Sequence, residues 1–193
     1  MLYRDHISQR YPRKEQVGSR TEVTLRPLDP GDQAKLLDFF RGVPEQDRLF
    51  LADDVTNVEV IAQWCGQLDF DRVVPLLALV DNQIVGSATL HRAKGGWANH
   101  VGRVRIVVHP DFRGKGIASL LVRELMDISV DIGLHKLDAE FMSGQEGPMR
   151  MFEKLGFVRI AILPEHVLDR RGQMHDLIVM TYDLHSEETS PVD

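Results

Sequence analysis

The sequence predicts a mixed α/β fold in a single domain. Apolar residues switch repeatedly between the period of two that marks a strand and the three-to-four spacing of a helical stripe, in the order β-α-α-β-β-β-α-β-α-β-β. No Pro/Gly/Ser-rich linker or internal repeat interrupts that succession, and 193 residues suffice for one sizeable core. A third observation concerns one junction. In "HPDFRGKGIASLL", Gly114 and Gly116 flank a lysine directly after an apolar strand and directly before an apolar helix.

The elements follow in order. Residues 1–20 are polar, mildly basic and without periodicity, and read as an N-terminal arm. "TEVTLRPL" alternates as a half-buried strand that stops at Pro27. "DPGDQAKLLDFFRGV" then places Leu36, Leu37 and Phe40 on one helical face, closed by Gly42. In "NVEVIAQWCGQL", Val58, Ile61, Cys65 and Leu68 stand at helical spacing behind Asn57 as N-cap. "VVPLLALV", the turn "DNQ" and "IVGSATLHR" form a hairpin, and "HVGRVRIVV" is a third apolar strand ended by His109 and Pro110. Past the glycines, Ile117, Leu120, Leu121, Leu125, Ile128 and Ile132 mark a long helix closed by Gly133. "HKLDAEFM" is a strand, "PMRMFEKL" a short helix, and the stretch from Phe157 to Leu184 a last hairpin around "DRRGQ". The domain therefore spans 21–184, and 185–193 is an acidic polar tail expected to be disordered.

The totals narrow the function classes. A hydrophobic fraction of 43% and a charged fraction of 27% describe an ordinary globular chain. A net charge of −6 repels nucleic acid and anionic membranes and suits a cationic substrate. The lone Cys65 permits no internal disulfide, and the N-terminus lacks the apolar stretch of a signal peptide; a cytoplasmic location is expected, with no nucleic-acid or membrane partner. Eight histidines include no pair at a helical ligand spacing, so no metal is expected.

A strand-to-helix loop offers unpaired backbone N–H groups and the positive end of a helix dipole, and glycines let an anion approach without meeting a Cβ. Arg113 and Lys115 add charge at the rim. The loop thus has the make-up of a phosphate or pyrophosphate cradle, although two glycines alone would equally serve a plain turn between strand and helix. It is not a Walker loop, which needs G-x-x-x-x-G-K-[ST], nor a G-x-G-x-x-G fingerprint, whose last position is occupied here by Ser119.

"VVHPDFRGKGIASLLVREL" resembles motif A of the GNAT superfamily of N-acetyltransferases, [QR]-x-x-G-x-[GA], with Arg113, Gly116 and Ala118 at its fixed positions. "MFEKLGF", Met151 to Phe157, is similar to the same family's "lYEKlGF" junction, and the order of elements matches from Glu22 to Leu184. The resemblance implies a mixed, mostly antiparallel sheet of about seven strands, splayed between its two central strands and flanked by about four helices. It implies acetyl-CoA as co-substrate. The backbone around Arg113, Gly114, Lys115, Gly116, Ile117 and Ala118 would hold the pyrophosphate, and Val107 and Val108 would pair with the pantetheine amides. Gln145, where the family often has asparagine, would contact the cofactor, and Phe152 would line the thioester site.

The same resemblance marks two departures. Many members carry a glutamate base near the start of the motif A strand, where this chain has Gly102 and Arg103, and the usual tyrosine acid is replaced by Phe152. Glu140 is the candidate substitute base, with a salt bridge or a substrate-positioning carboxylate as its other reading: Leu137, Ala139 and Phe141 share one face of its strand, while Asp138 and Glu140 share the other. Tyr182 is a hydroxyl available for the acid step. "LRPLDPGDQAKLLDFFRGV" and "DAEFMSGQEGPMRMFEKLGF" also look like stretches of bacterial protein-lysine acetyltransferases within the superfamily. The expected function is direct acetyl transfer to a primary amine, either a small amine or a protein lysine. The alternative is a degenerate domain that binds acyl-CoA as a regulatory ligand without turnover. The last hairpin and the N-terminal arm are the surfaces available for a homodimer contact.

Overall fold

The structure, a computed structural model, describes residues 9–18, 21–51 and 53–185. Among these, eight strands form one sheet: β1 (Arg13–Val17), β2 (Thr21–Pro27), β3 (Val73–Val80), β4 (Gln83–Arg92), β5 (Val101–Val108), β6 (Lys136–Met142), β7 (Val158–Leu168) and β8 (Met174–Asp183). Their spatial order is β1-β2-β3-β4-β5-β6-β8-β7. All neighbours are antiparallel except β5 and β6. The helices are α1 (Gln33–Gly42), α2 (Glu45–Arg48), α3 (Val58–Gly66), α4 (Ile117–Asp131) and α5 (Glu146–Lys154). One strand and one helix exceed the expected numbers. The extra helix is the single turn α2, too short to show a periodicity. The extra strand is β1, which the polar segment "RKEQV" builds at the sheet edge.

β1 is held by charge as much as by pairing. Glu124, buried on α4, accepts from Arg10 Nε at 2.6 Å, Arg13 Nη2 at 2.6 Å and Tyr11 Oη at 2.8 Å. Arg10 also reaches Asp127 and Asp131 on the next turns of the helix. A mostly polar arm is thereby fixed to the domain, with only Tyr11 and Val17 entering the core. Of the expected arm, residues 1–8, 19 and 20 lie outside the described residues, as does 186–193 of the tail.

Period-two alternation divides the sheet's side chains between two cores. On one face Val74, Leu76, Ala88, Leu90, Val104 and Leu137 pack against Leu121, Leu125 and Ile128 of α4 and Phe152 of α5. On the other, Leu77, Leu79 and Ile84 pack against Leu36, Leu37 and Phe40 of α1 and Ile61 and Cys65 of α3. Asn57 caps α3, its Oδ1 accepting from Glu59 N at 2.9 Å. The expected α3 stripe is shorter than its spacing suggested: Val58 is exposed, and Leu68 lies beyond the helix end. Asp81 and Asn82, both left-handed, make the two-residue β3–β4 turn that matches strand twist. Gly102 allows β4, β5 and β6 to close together: a Cβ there would stand 2.7 Å from Leu90 Cδ1 and 2.8 Å from Leu134 Cδ1.

Candidate active site

β5 and β6 pair from Val101↔Lys136 to Arg103↔Asp138 and then diverge, although β5 runs on to Val108 and β6 to Met142. The direction of the β5 amides follows from the hydrogen bonds at its ends. His100 O accepts from His135 N and Lys136 N on the β6 side, whereas His109 N donates to Val85 O on the β4 side. Strand alternation then turns the N–H and C=O of Ile106 and Val108 into the cleft. Val107 turns its backbone to Ser87 of β4 instead, so of the two residues expected along the pantetheine only Val108 faces the cleft, with Ile106 two residues before it. The reason is parity: only alternate residues of a strand face the same neighbour.

Above this free edge lies the glycine loop. Gly114 and Gly116 have φ of +73° and +90°, and a Cβ on either would meet nothing within 4 Å. The left-handed turn at Gly116 starts α4, whose first-turn N–H groups lack intrahelical acceptors and receive no side-chain cap. Lys115 Nζ sits 4.5 Å from the centre of the Phe112 ring. Ile117 is buried beneath the loop and Ala118 packs against the same core. Arg113 donates from Nε to Val108 O at 3.1 Å and from Nη2 to Asp47 of α2 at 2.6 Å. Open space over free N–H groups, with two cations at its rim, fits the pyrophosphate of a CoA thioester.

The face of the sheet opposite α4 carries polar groups around the divergence. Cross-strand register puts His91 opposite Arg103 and Thr89 opposite Arg105, and Asp138 and Glu140 join them from β6. Arg103 Nη2 and Glu140 Oε1 form an ion pair at 2.9 Å. Thr89 Oγ1 and His91 Nε2 are 2.9 Å apart. Burial, and then the positive charges of Arg105 and Arg103, push the His91 imidazole down to about 4, so it is neutral at pH 7.

Residues beyond α2 border this face on both sides. The Phe50 ring meets His175 of β8 edge-on at 6.1 Å, and Asp53 acts electrostatically on His91 of β4. The β7–β8 turn is tied to the same region through Arg171–Glu45 at 2.7 Å and Arg170–Asp54 at 2.9 Å. Asp169, buried in that turn, accepts from Arg171 N, Gln173 N and His175 Nε2.

The remaining sequence-selected residues are placed differently. Gln145 precedes α5, and its Oε1 accepts from Met142 N at 2.8 Å, closing the end of β6 beside the cleft. Phe152 is fully buried, edge-on to Phe141 at 5.2 Å and Phe157 at 4.8 Å. Tyr182 pairs in register with Leu137, at the end where β5 and β6 are still joined, so the fold does not bring it to the divergence. Asp47, His91 and Arg105 were not singled out from sequence. Arg105 had a signal, since "RVR" inside an apolar strand puts two arginines on one face. Asp47 had none, because its partner is 66 residues away.

Comparison with known proteins agrees with this geometry. The sequence profile of the acetyltransferase (GNAT) family matches residues 36–157. The chain is 31% identical over 122 residues to the L-amino acid N-acyltransferase MnaT of Escherichia coli K12, covering 61% of this chain and 68% of that protein. An acetyltransferase of Yersinia pestis (strain Pestoides F) is 29% identical over 125 residues, covering 57% and 85%. Among solved structures, the GNAT domain of S. lividans PAT superposes with a TM-score of 0.74 at 15% identity, covering 89% of this chain and 96% of that one. The structure of yncA from Salmonella typhimurium, solved with its cofactor acetyl-CoA, superposes with a TM-score of 0.71 at 21% identity, covering 89% and 98%. A profile match across more than half the chain, with the cleft and the glycine loop in their places, settles the family: the chain belongs to the acetyltransferase (GNAT) family and is an N-acetyltransferase.

Proposed function

We propose that the protein transfers the acetyl group of acetyl-CoA directly to the primary amine of a small molecule. The observation that carries this is the β5 edge turned away from β4, the Ile106 backbone and the Val108 N–H, running from the glycine loop into a cleft whose far side holds Glu140. The pyrophosphate would rest on Gly114 to Ala118, with Arg113 released from Asp47 to meet it. The amine nitrogen attacks the thioester carbonyl, the C–N bond forms, the C–S bond breaks, and CoA leaves as thiolate. The ammonium must first lose a proton, because an alkyl amine near pKa 10 is mostly protonated at pH 7. We assign that proton to Glu140, directly or through water. As the C–S bond breaks the acylated nitrogen loses its extra proton to solvent, giving the neutral amide, and the thiolate takes a proton from solvent, since Phe152 has none to give.

A small acceptor is favoured over a protein lysine because Phe50, Asp53 and the β7–β8 turn border the acceptor face. A relative whose name states an acceptor, the L-amino acid N-acyltransferase MnaT, agrees in kind; the ribosomal-protein-alanine acetyltransferases among the structural neighbours do not, and at 17% and 22% identity they carry the fold alone. Thiol release from acetyl-CoA, measured with small primary amines and with lysine peptides, tests the acceptor. Release with the small amines is expected; release with the lysine peptides alone refutes a small acceptor. We also assign the exposed β7 edge, with Val158, Ile160 and Ile162 in alternation, to a second copy of the chain. Light scattering showing only monomer at high concentration refutes that assignment.

A further inference from the structure

Arg105 stands on the acceptor face with no ion-pair partner among the described residues. Arg103, two residues earlier on the same strand face, is engaged by Glu140 at 2.9 Å. Arg105 is exposed and has no hydrogen bond or ion pair among the described residues. Its position is also distinctive. The β5–β6 pairing ends at Arg103↔Asp138, so Arg105 is the first residue of that face to border the opened cleft. Its strand neighbour Thr89 is bonded to His91, a neutral group that offers it no counter-charge.

The two walls of the divergence therefore differ in sign. β5 presents the free guanidinium of Arg105, and β6 presents the carboxylates of Glu140 and Asp138. Successive residues on one strand face are roughly 7 Å apart, so Arg105 and the Glu140–Arg103 pair are neighbours along the cleft. An ammonium suits the β6 side and an oxoanion suits Arg105, whose planar fork matches a carboxylate in two-point fashion. A simple alkyl amine, or the side chain of a lysine within a protein, would leave that cation without a partner.

Resting on the reading of this cleft as an acceptor site for a small amine, we propose that the acceptor is a free α-amino acid and that Arg105 is the specificity-determining residue that binds its carboxylate. The amine then approaches along the β6 wall while the carboxylate is held on the β5 wall. An uncharged α-amide loses the charged contact and keeps the rest of the molecule.

The test uses the full chain saturated with CoA, titrated with a panel of L-amino acids and their matching α-amides by calorimetry. Thiol release from acetyl-CoA is followed for the same compounds. The acids are expected to bind about ten- to hundredfold more tightly than the amides, as the loss of one charged hydrogen-bonded contact implies. In Arg105→Gln that ratio should fall to within about twofold of one, and Arg105→Lys should recover part of it. Thermal melting of each variant reports on folding. A change in overall stability would weaken acids and amides alike and leave the ratio in place, so the ratio isolates carboxylate recognition. Acids and amides binding equally to the parent protein, or an unchanged ratio in Arg105→Gln, overturns the proposal. If no acceptor releases CoA, transfer fails as the activity, whereas a ratio lost in Arg105→Gln would still support carboxylate binding by Arg105.

Discussion

Gly116→Ala separates the fold of the glycine loop from its use. The residue has φ +90° and ψ −1°, a left-handed conformation that costs an alanine about 1–2 kcal/mol. No atom lies within 4 Å of the added Cβ, so no clash adds to that strain. For a chain of this length the melting temperature should fall by about 2–8 °C. The same methyl group, however, occupies the open space over the first-turn N–H groups of α4. Displacing an anion from one or two charge-assisted bonds there should weaken acetyl-CoA binding about ten- to hundredfold. Gly133→Ala is the control: its φ is +73°, its Cβ also has nothing within 4 Å, and it lies past the opposite end of α4, about 22 Å away. Both variants should lose similar stability by thermal melting, and only Gly116→Ala should lose affinity by calorimetry. Equal acetyl-CoA affinities in the two variants would refute the assignment of the pyrophosphate to this loop.

Glu140→Gln should lower kcat by about a hundredfold while acetyl-CoA affinity stays within about twofold, by thiol release and calorimetry, and near-normal turnover removes Glu140 from the chemistry. Glu124→Gln leaves Arg10 and Arg13 facing a neutral amide. Both guanidiniums keep some access to water, so a cost of about 2–3 kcal/mol is expected, or roughly 4–12 °C in melting temperature. A shift below about 2 °C would mean the cluster does not anchor β1. His91 predicts a pH dependence. Its folded value of about 4 lies below the ordinary 6.5, so the unfolded chain takes the proton first as pH falls. Its contribution is complete above about pH 6.5 and is lost towards pH 4, on the order of 2 kcal/mol for this partly exposed ring. Urea unfolding across that range should show a slope that His91→Gln reduces, and an identical slope in both proteins would contradict a neutral, half-buried imidazole.

What the sequence determined by itself is what is local along the chain. The glycines flanking Lys115, the helical stripe from Ile117 to Ile128 and the alternation of β6 each depend on neighbours a few residues away, so their period and composition are legible. The family resemblance rests on the same local patterns. Tertiary structure decided everything that joins distant segments. Arg13 forms a strand because Glu124, on α4, fixes it, and no local pattern in "RKEQV" marks that strand. Asp47 meets Arg113 across the fold, and Glu140 meets Arg103 because the strands pair up to that point and no further. That last residue of pairing also decides which β5 amides face the cleft and leaves Arg105 at its edge with no hydrogen bond or ion pair among the described residues. Strand alternation is written in the sequence, but the position where two strands separate is set by the packing of α4, α5 and their neighbours on either side of the gap.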